Sequence, residues 1–331
     1  MQRIPISRAS QLYPFIAFLK DIGTPVERHL ERHKLPLGLL ENPNMFVMTR
    51  ATYDFVEDMA EREGIDGFGW RIANPSLTQK LSKKIASAPT LFEAIKGVCL
   101  FAKKESTGLN IWIEERGDTL YFNSRGSIKG ALRGADEFAM YRGKIMLSII
   151  RQFIEPDWTP DEWCFEIKCE MPDLIQESLN GKQISVSSEI GSLPIPRSLL
   201  ANRFKKPLLK TTPSGNGDTV PDMGLAGTLK YLLKTYPPSS IPSFQEISCL
   251  SGVKARSLQR RLKEEGTSFR AIVMQIKYDQ ACDLLQQLDL QIIEVAFRLG
   301  FQSPAHFTRF FRNFSGQTPN EYRTTLSSQN G

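Results

Sequence analysis

Residues 291–314 read QIIEVAFRLGFQSPAHFTRFFRNF, and residues 244–265 read FQEISCLSGVKARSLQRRLKEE. Each stretch holds a short amphipathic segment, a glycine (Gly300, Gly252), an apolar residue (Phe301, Val253) and a second amphipathic segment. A helix that turns sharply into another needs a left-handed backbone at the corner, which glycine adopts without steric cost. The apolar residue after it plugs the angle between the helices. One such pattern is weak. Two, with their glycines 48 positions apart, predict helix-turn-helix motifs over 243–265 and 291–314.

The start signals agree with this reading. Ser243 and Glu246 have the spacing of a capping box, Ser303-Pro304 places an N-cap before a first-turn proline, and Thr318-Pro319 with Glu321 repeats both devices. Between the motifs, Phe269, Ile272, Val273, Ile276, Leu284, Leu285 and Leu288 keep a helical apolar stripe. That stripe predicts one long helix over 268–288, joining the motifs at a fixed separation.

The faces of the second helices point to a ligand. In 255–265, Ala255, Leu258 and Leu262 form the inward face, and Arg256, Gln259, Arg260 and Lys263 the opposite one. In 304–314, Phe307, Phe310, Phe311 and Phe314 form a stripe expected to be buried, with Ala305, Thr308, Arg309 and Arg312 outward. Arginine pairs with guanine O6 and N7, glutamine reads adenine, and small methyls suit the thymine methyl. Lys263 and Arg312 come late in their helices, where phosphate contacts are expected.

Charge supports the same partner. The chain of 331 residues carries a formal net charge of +6. Residues 225–331 hold 13 Lys+Arg against 8 Asp+Glu, which leaves 29 against 28 upstream. The basic excess therefore sits in the last third, as in a nucleic-acid-binding module attached to a near-neutral one.

Upstream the pattern is mixed. Helices are expected over 9–22, 25–33, 49–63, 90–104, 135–154 and 173–179, a hairpin around Arg116-Gly117, a strand over 163–170, and further strands within 183–196. The fold class that follows is an α+β N-terminal domain over 1–205 and an all-α C-terminal domain over 223–331. The Pro-, Gly- and Ser-rich 206–222 is read as the linker. No apolar run approaches the ~20 residues of a membrane span, so no membrane partner is expected. Five scattered cysteines without a C-x-x-C pair argue against a disulfide scaffold or zinc ribbon and fit a reducing cytoplasm.

Other groups weigh less. His29 and His33 share a helical face, but no third ligand is evident, so no metal is expected. Trp70, Trp112, Tyr121, Tyr141 and Trp163 are candidates for core or for a pocket, and Arg133 for a surface cation or an anion site. Three histidines, with no G-x-S-x-G, P-loop or Rossmann fingerprint, give enzyme chemistry no foothold, and no cofactor is implied.

The segments SLQRRLKEEGTSFRAIV and IIEVAFRLGFQSPAHFTRFFRNFSGQTPNEYR, with the closing Gly316, Pro319, Tyr322 and Arg323, resemble the DNA-binding domain of AraC/XylS-family bacterial transcription regulators. The resemblance spans about 223–326, with Ser248 standing where the family usually has alanine. By position it implies base contacts from Arg256, Gln259 and Arg260 in the first motif. In the second it implies Ala305, His306, Thr308 and Arg309. Upstream, LPLGLLENPNMFV, GFGWRIAN, ASAPTLFEAIKG and the Trp163 strand are similar to the arabinose-binding-type sensor region of ornithine-utilisation-like regulators. The function implied is a cytoplasmic, homodimeric, effector-responsive activator that binds double-stranded DNA and works with RNA polymerase. The effector and its binding residues are unspecified. Two other readings remain: an architectural DNA binder without effector, and a ligand-binding protein whose helical domain serves protein contacts.

Overall fold

A computed structural model of the chain describes residues 4–73, 85, 87–126, 133–179, 182–187, 189–204, 223–287 and 289–329. The described residues fall into two compact units, one within Pro5–Pro221 and the other within Asp222–Gly331, with Ile4 grouped with the latter. The linker expected over 206–222 lies outside the described residues, as does Leu288 of the apolar stripe.

The first unit is α+β. It opens with β1 (Ile6–Arg8), α1 (Tyr13–Asp21), α2 (Val26–Arg32), β2 (Phe46–Met48), α3 (Thr49–Arg62) and α4 (Phe68–Ile72). β1 and β2 pair antiparallel, with Ile6 opposite Met48. There follow α5 (Leu91–Glu105), β3 (Leu109–Arg116), β4 (Thr119–Gly126), α6 (Arg133–Ile150), β5 (Glu162–Phe165), α7 (Asp173–Ser178), β6 (Gln183–Val186) and β7 (Gly191–Pro196). The Thr90 hydroxyl accepts from the backbone N–H of Glu93 at 3.3 Å, which fixes the start of α5.

The last five strands form one sheet in the order β3-β4-β7-β5-β6, antiparallel except for the β5–β6 pair. Alternation puts Ile111, Phe122, Leu193 and Ile195 on one buried face. Trp163 and Phe165 stack on each other at 4.3 Å on β5, and a side chain at Gly143 of α6 would collide with both. This face is therefore the one α6 covers. α4 lies against α6 as well: a Cβ at Gly69 would overlap the carbonyl oxygen of Glu137, so only glycine permits the approach.

β5 is shorter than the strand expected over 163–170. The buried Asp136 carboxylate accepts the backbone N–H groups of Lys168 (3.1 Å) and Cys169 (3.0 Å). Those donors are thereby withdrawn from any ladder.

In the second unit every described element is a helix: α8 (Gly224–Leu233), α9 (Phe244–Ser251), α10 (Ala255–Glu264), α11 (Phe269–Leu285), α12 (Ile292–Arg298), α13 (Pro304–Ser315) and α14 (Pro319–Gln329). The two helix-turn-helix motifs, α9–α10 and α12–α13, are joined by α11, whose 17 residues span about 25 Å at 1.5 Å each. The start of α11 meets the first motif, with Phe269 and Phe244 rings 5.2 Å apart. Its far end supplies Ala281 and Leu285 to a core with Val295, Leu299, Phe307 and Phe311.

Candidate nucleic-acid interface and ligand cavity

Each motif is held by local bonds. Ser243 and Glu246 form the reciprocal capping box at the start of α9. Gly252 then turns the chain at φ +66°, and Gly300 makes the second corner at φ +75°. Ser248 donates its hydroxyl to the carbonyl of Val253 at 2.8 Å, and the Ser251 hydroxyl accepts from the N–H of Val253 at 3.3 Å. The serine in the usual alanine position thus ties the first corner. At the second corner Lys277 of α11 donates to the carbonyl of Leu299 at 2.8 Å and lies over the ring of Phe301. Burial pushes its ammonium below the usual lysine range.

The second helix of each motif then presents its outer face. Leu258 and Leu262 are buried, and Arg256, Gln259, Arg260 and Lys263 are exposed along α10. Arg260 pairs with Glu264 one turn on, but the two side chains are 74% and 51% exposed. Such a solvated pair is weak and readily exchanged. On α13, Ser303 caps the first turn through the N–H of His306, and Phe307 and Phe311 are fully buried. Ala305, His306, Arg309 and Arg312 are exposed, and Thr308 is half-buried. The two rows total five cations (Arg256, Arg260, Lys263, Arg309 and Arg312) among nine side chains. The expected burial of the whole phenylalanine stripe is corrected at its end. Phe314 is 42% exposed and stacks on Tyr278 at 5.3 Å, because α13 runs past the core there.

The first unit contains a cavity of about 580 Å³, enclosed by the sheet face, α5, α6 and the segments at Ser10–Tyr13 and Pro43–Asn44. Its apolar walls come from Val98 and Phe101 of α5, Phe138 and Ile145 of α6, and Ile111 and Leu193 of the sheet. Of the aromatic candidates, Tyr141 and Trp163 line it, Trp70 is buried, and Trp112 and Tyr121 are half-buried on the sheet. Burial pushes the Tyr141 phenol up to about 12, so it stays neutral. Arg142 is 3.4 Å from Glu166, whose carboxyl is raised above the usual range by burial, with Arg142 opposing the rise. The sequence signal for this pair is Arg142 itself, a cation within the apolar stripe Phe138, Tyr141, Ile145 and Met146. The side chain of Arg133 lies outside the described residues.

Elsewhere, His33 Nε2 lies 3.1 Å and His29 Nδ1 3.9 Å from Oδ2 of Asp58. The carboxylate beside both histidines thus comes from α3. Among the described residues, no group of three or more His, Cys, Asp or Glu is arranged to hold a metal ion. No helix among them is long and apolar enough to cross a membrane.

Comparison with known proteins finds a family match in each unit. A family model described as the arabinose-binding domain of AraC transcription regulators, N-terminal, matches residues 23–201, and a helix-turn-helix domain model matches 250–325. An HTH-type transcriptional regulator of Mycobacterium tuberculosis is 37% identical over 81 residues, 24% of either chain. The regulator GlxA of Rhizobium meliloti is 43% identical over 80 residues, 24% of this chain and 25% of that one. The ornithine utilization regulator of Pseudomonas aeruginosa is 29% identical over 86 residues, 26% and 25% of the two chains. These matches span about a quarter of each relative's length. The crystal structure of the regulator CdpR from Pseudomonas aeruginosa aligns over 91% of this chain and 96% of that one, with 17% identity and a TM-score of 0.37.

Proposed function

Residues 23–201 make up more than half of the chain and match the AraC regulator model, so the chain belongs to the AraC family of transcription regulators; on that premise we propose a sequence-specific, effector-responsive activator. The observation that carries this reading is the pair of exposed, cation-rich helix faces, α10 and α13, mounted at the two ends of one helix. In this reading Arg256, Gln259 and Arg260 read bases from α10, and Ala305, His306, Thr308 and Arg309 from α13. Lys263 and Arg312 hold phosphates and set register. Residues 223–331 form the DNA-reading domain, 1–205 the sensing and dimerising domain, and 206–222 the linker.

The effector occupies the cavity between the sheet face and α6. It acts by binding one arrangement of the two domains more tightly than another, the only way a ligand shifts such an equilibrium. Two chains act together on two half-sites in the cytoplasm, and RNA polymerase is the protein partner of the activated complex.

The test is to weaken each motif separately in the full-length protein. Arg256→Ala with Arg260→Ala, and Arg309→Ala alone, are each expected to lower affinity for the selected operator by about 1–3 kcal/mol per base-reading residue, measured by fluorescence anisotropy at fixed salt. Full affinity retained after loss of either face contradicts two-motif reading.

A further inference from the structure

The cavity carries information about what fills it. Its volume of about 580 Å³ lies in the range of roughly 300–1,000 Å³ that suits a small molecule. The decisive feature is how little polar capacity it leaves for a guest. Ser10 donates its hydroxyl to Glu105 at 3.2 Å, and Gln11 donates to the Glu105 carbonyl at 3.2 Å. Tyr13 donates its hydroxyl to the carbonyls of Leu39 and Leu40, and Ser192 donates its own to Asn123 at 2.8 Å. These polar lining groups are spent inside the protein.

The charges are spent as well. Glu105 lies 3.2 Å from the Arg8 guanidinium. Glu166 accepts from the backbone N–H of Gly126 and pairs with Arg142. Among the described residues each carboxylate of the lining has its own arginine, so no net charge is left for an ionic guest. Few polar groups remain. The hydroxyls of Tyr141 and Ser124 belong to the lining and have no hydrogen-bond partner among the described residues. Nε of Arg142 also lacks an acceptor there, but it is buried away from the cavity space.

We propose that the effector is an uncharged, predominantly apolar molecule bearing an acceptor oxygen, a ketone, ester or lactone in chemical class, rather than a sugar, an amino acid or a free carboxylate. This rests on the reading of the cavity as the effector site. A pentose buries more hydroxyls than the few free polar groups of the lining satisfy, and each unsatisfied one opposes binding. A carboxylate or ammonium group enters beside charge pairs that are already neutralised, so its desolvation is uncompensated. A carbonyl oxygen accepts from the Tyr141 or Ser124 hydroxyl, while its alkyl or aryl body meets Val98, Phe101, Phe138 and Ile145.

The experiment uses the full-length protein and the uncharged fluorophore N-phenyl-1-naphthylamine, displaced by guests of one chain length and different ends: 2-nonanone, nonanoate and nonylamine. L-arabinose and L-ornithine complete the set. The fluorophore is expected to brighten on binding, the ketone to displace it and raise Tm, and the ionic analogues to bind at least about tenfold more weakly. Arabinose and ornithine are expected to do neither. Ala139→Phe, which fills the cavity from α6, is expected to abolish uptake, and Met146→Trp serves if that variant does not fold. Tighter binding by arabinose, ornithine or nonanoate overturns the proposal. So does fluorophore uptake that either filled variant leaves intact, or no uptake by the wild type. Operator binding is measured on the same samples. Its loss with ketone binding intact counts against the regulator reading alone, and its persistence with no ketone binding counts against this inference alone.

Discussion

Arg309 and Lys263 carry the same charge on equivalent exposed faces, yet different consequences are expected from removing them. In the proposed reading Arg309, midway along α13, reaches base edges. Arg309→Ala is expected to cost about 1–3 kcal/mol on the preferred site and to relax preference at one base pair. Lys263 lies at the end of α10 and, in the same reading, meets phosphate. Lys263→Ala is expected to weaken all sequences alike and reduce the salt slope by about one. Anisotropy titrations on preferred and scrambled duplexes over a salt series separate the two, and equal loss at Arg309 on both duplexes removes its assignment as a base reader. Inward, Phe307 and Phe311 are fully buried. Phe311→Ala is expected to destabilise the second unit by about 3–5 kcal/mol, whereas Phe314→Ala, at the exposed end of the stripe, is expected to cost far less in urea unfolding. Periodicity put all four phenylalanines on one face correctly. It carried no information about where the core beneath α13 ends.

At the scale of elements, the caps and corners were the most legible part of the chain, because their chemistry is local. Ser243 with Glu246, Ser303 with Pro304 and Thr318 with Glu321 each meet their expected backbone partners. Thr318 donates its N–H to Glu321 at 2.7 Å. That backbone hydrogen bond, and then the Thr318 side chain, hold the Glu321 carboxyl below the usual glutamate range. A carboxyl lowered on folding contributes stability that is present above its unfolded value of 4.5 and is lost as pH falls through the folded value. Glu321→Gln keeps the cap but cannot titrate, so its unfolding free energy is expected to fall less on acidification than the wild type's. Identical acid profiles contradict this. Gly252, at φ +66°, is expected to resist Gly252→Ala at a cost of about 1–2 kcal/mol, read from the same unfolding curves. Elements defined by distant partners were not legible. β1 and β2 are three residues each and pair across some forty positions. β5 ends where Asp136, far off on α6, takes the N–H groups of Lys168 and Cys169.

At the scale of the whole molecule, the basic last third and near-neutral remainder correspond to two compact units with separate cores. The helical unit was readable because the caps, corners and apolar stripes that define its helices are local in the sequence. The cavity of the first unit was not. Its walls come from segments at positions 10–13, 43–44, 98–111, 122–124, 138–146, 163–166 and 191–193, and only folding brings them together. Two units with separate cores are expected to unfold in two calorimetric transitions. Operator DNA at about 100 times its dissociation constant is expected to add ~2.7 kcal/mol to the helical unit while leaving the other where it was. A single transition that DNA does not move contradicts that division. The central claim is that two motifs on one connecting helix read DNA sequence. The most direct test is a binding selection of the full-length protein from random duplex DNA at physiological salt, with and without the ketone probe. The account predicts an enriched motif whose two half-sites lie about 10–10.5 base pairs apart, one helical turn. Sequence-blind recovery under both conditions contradicts it.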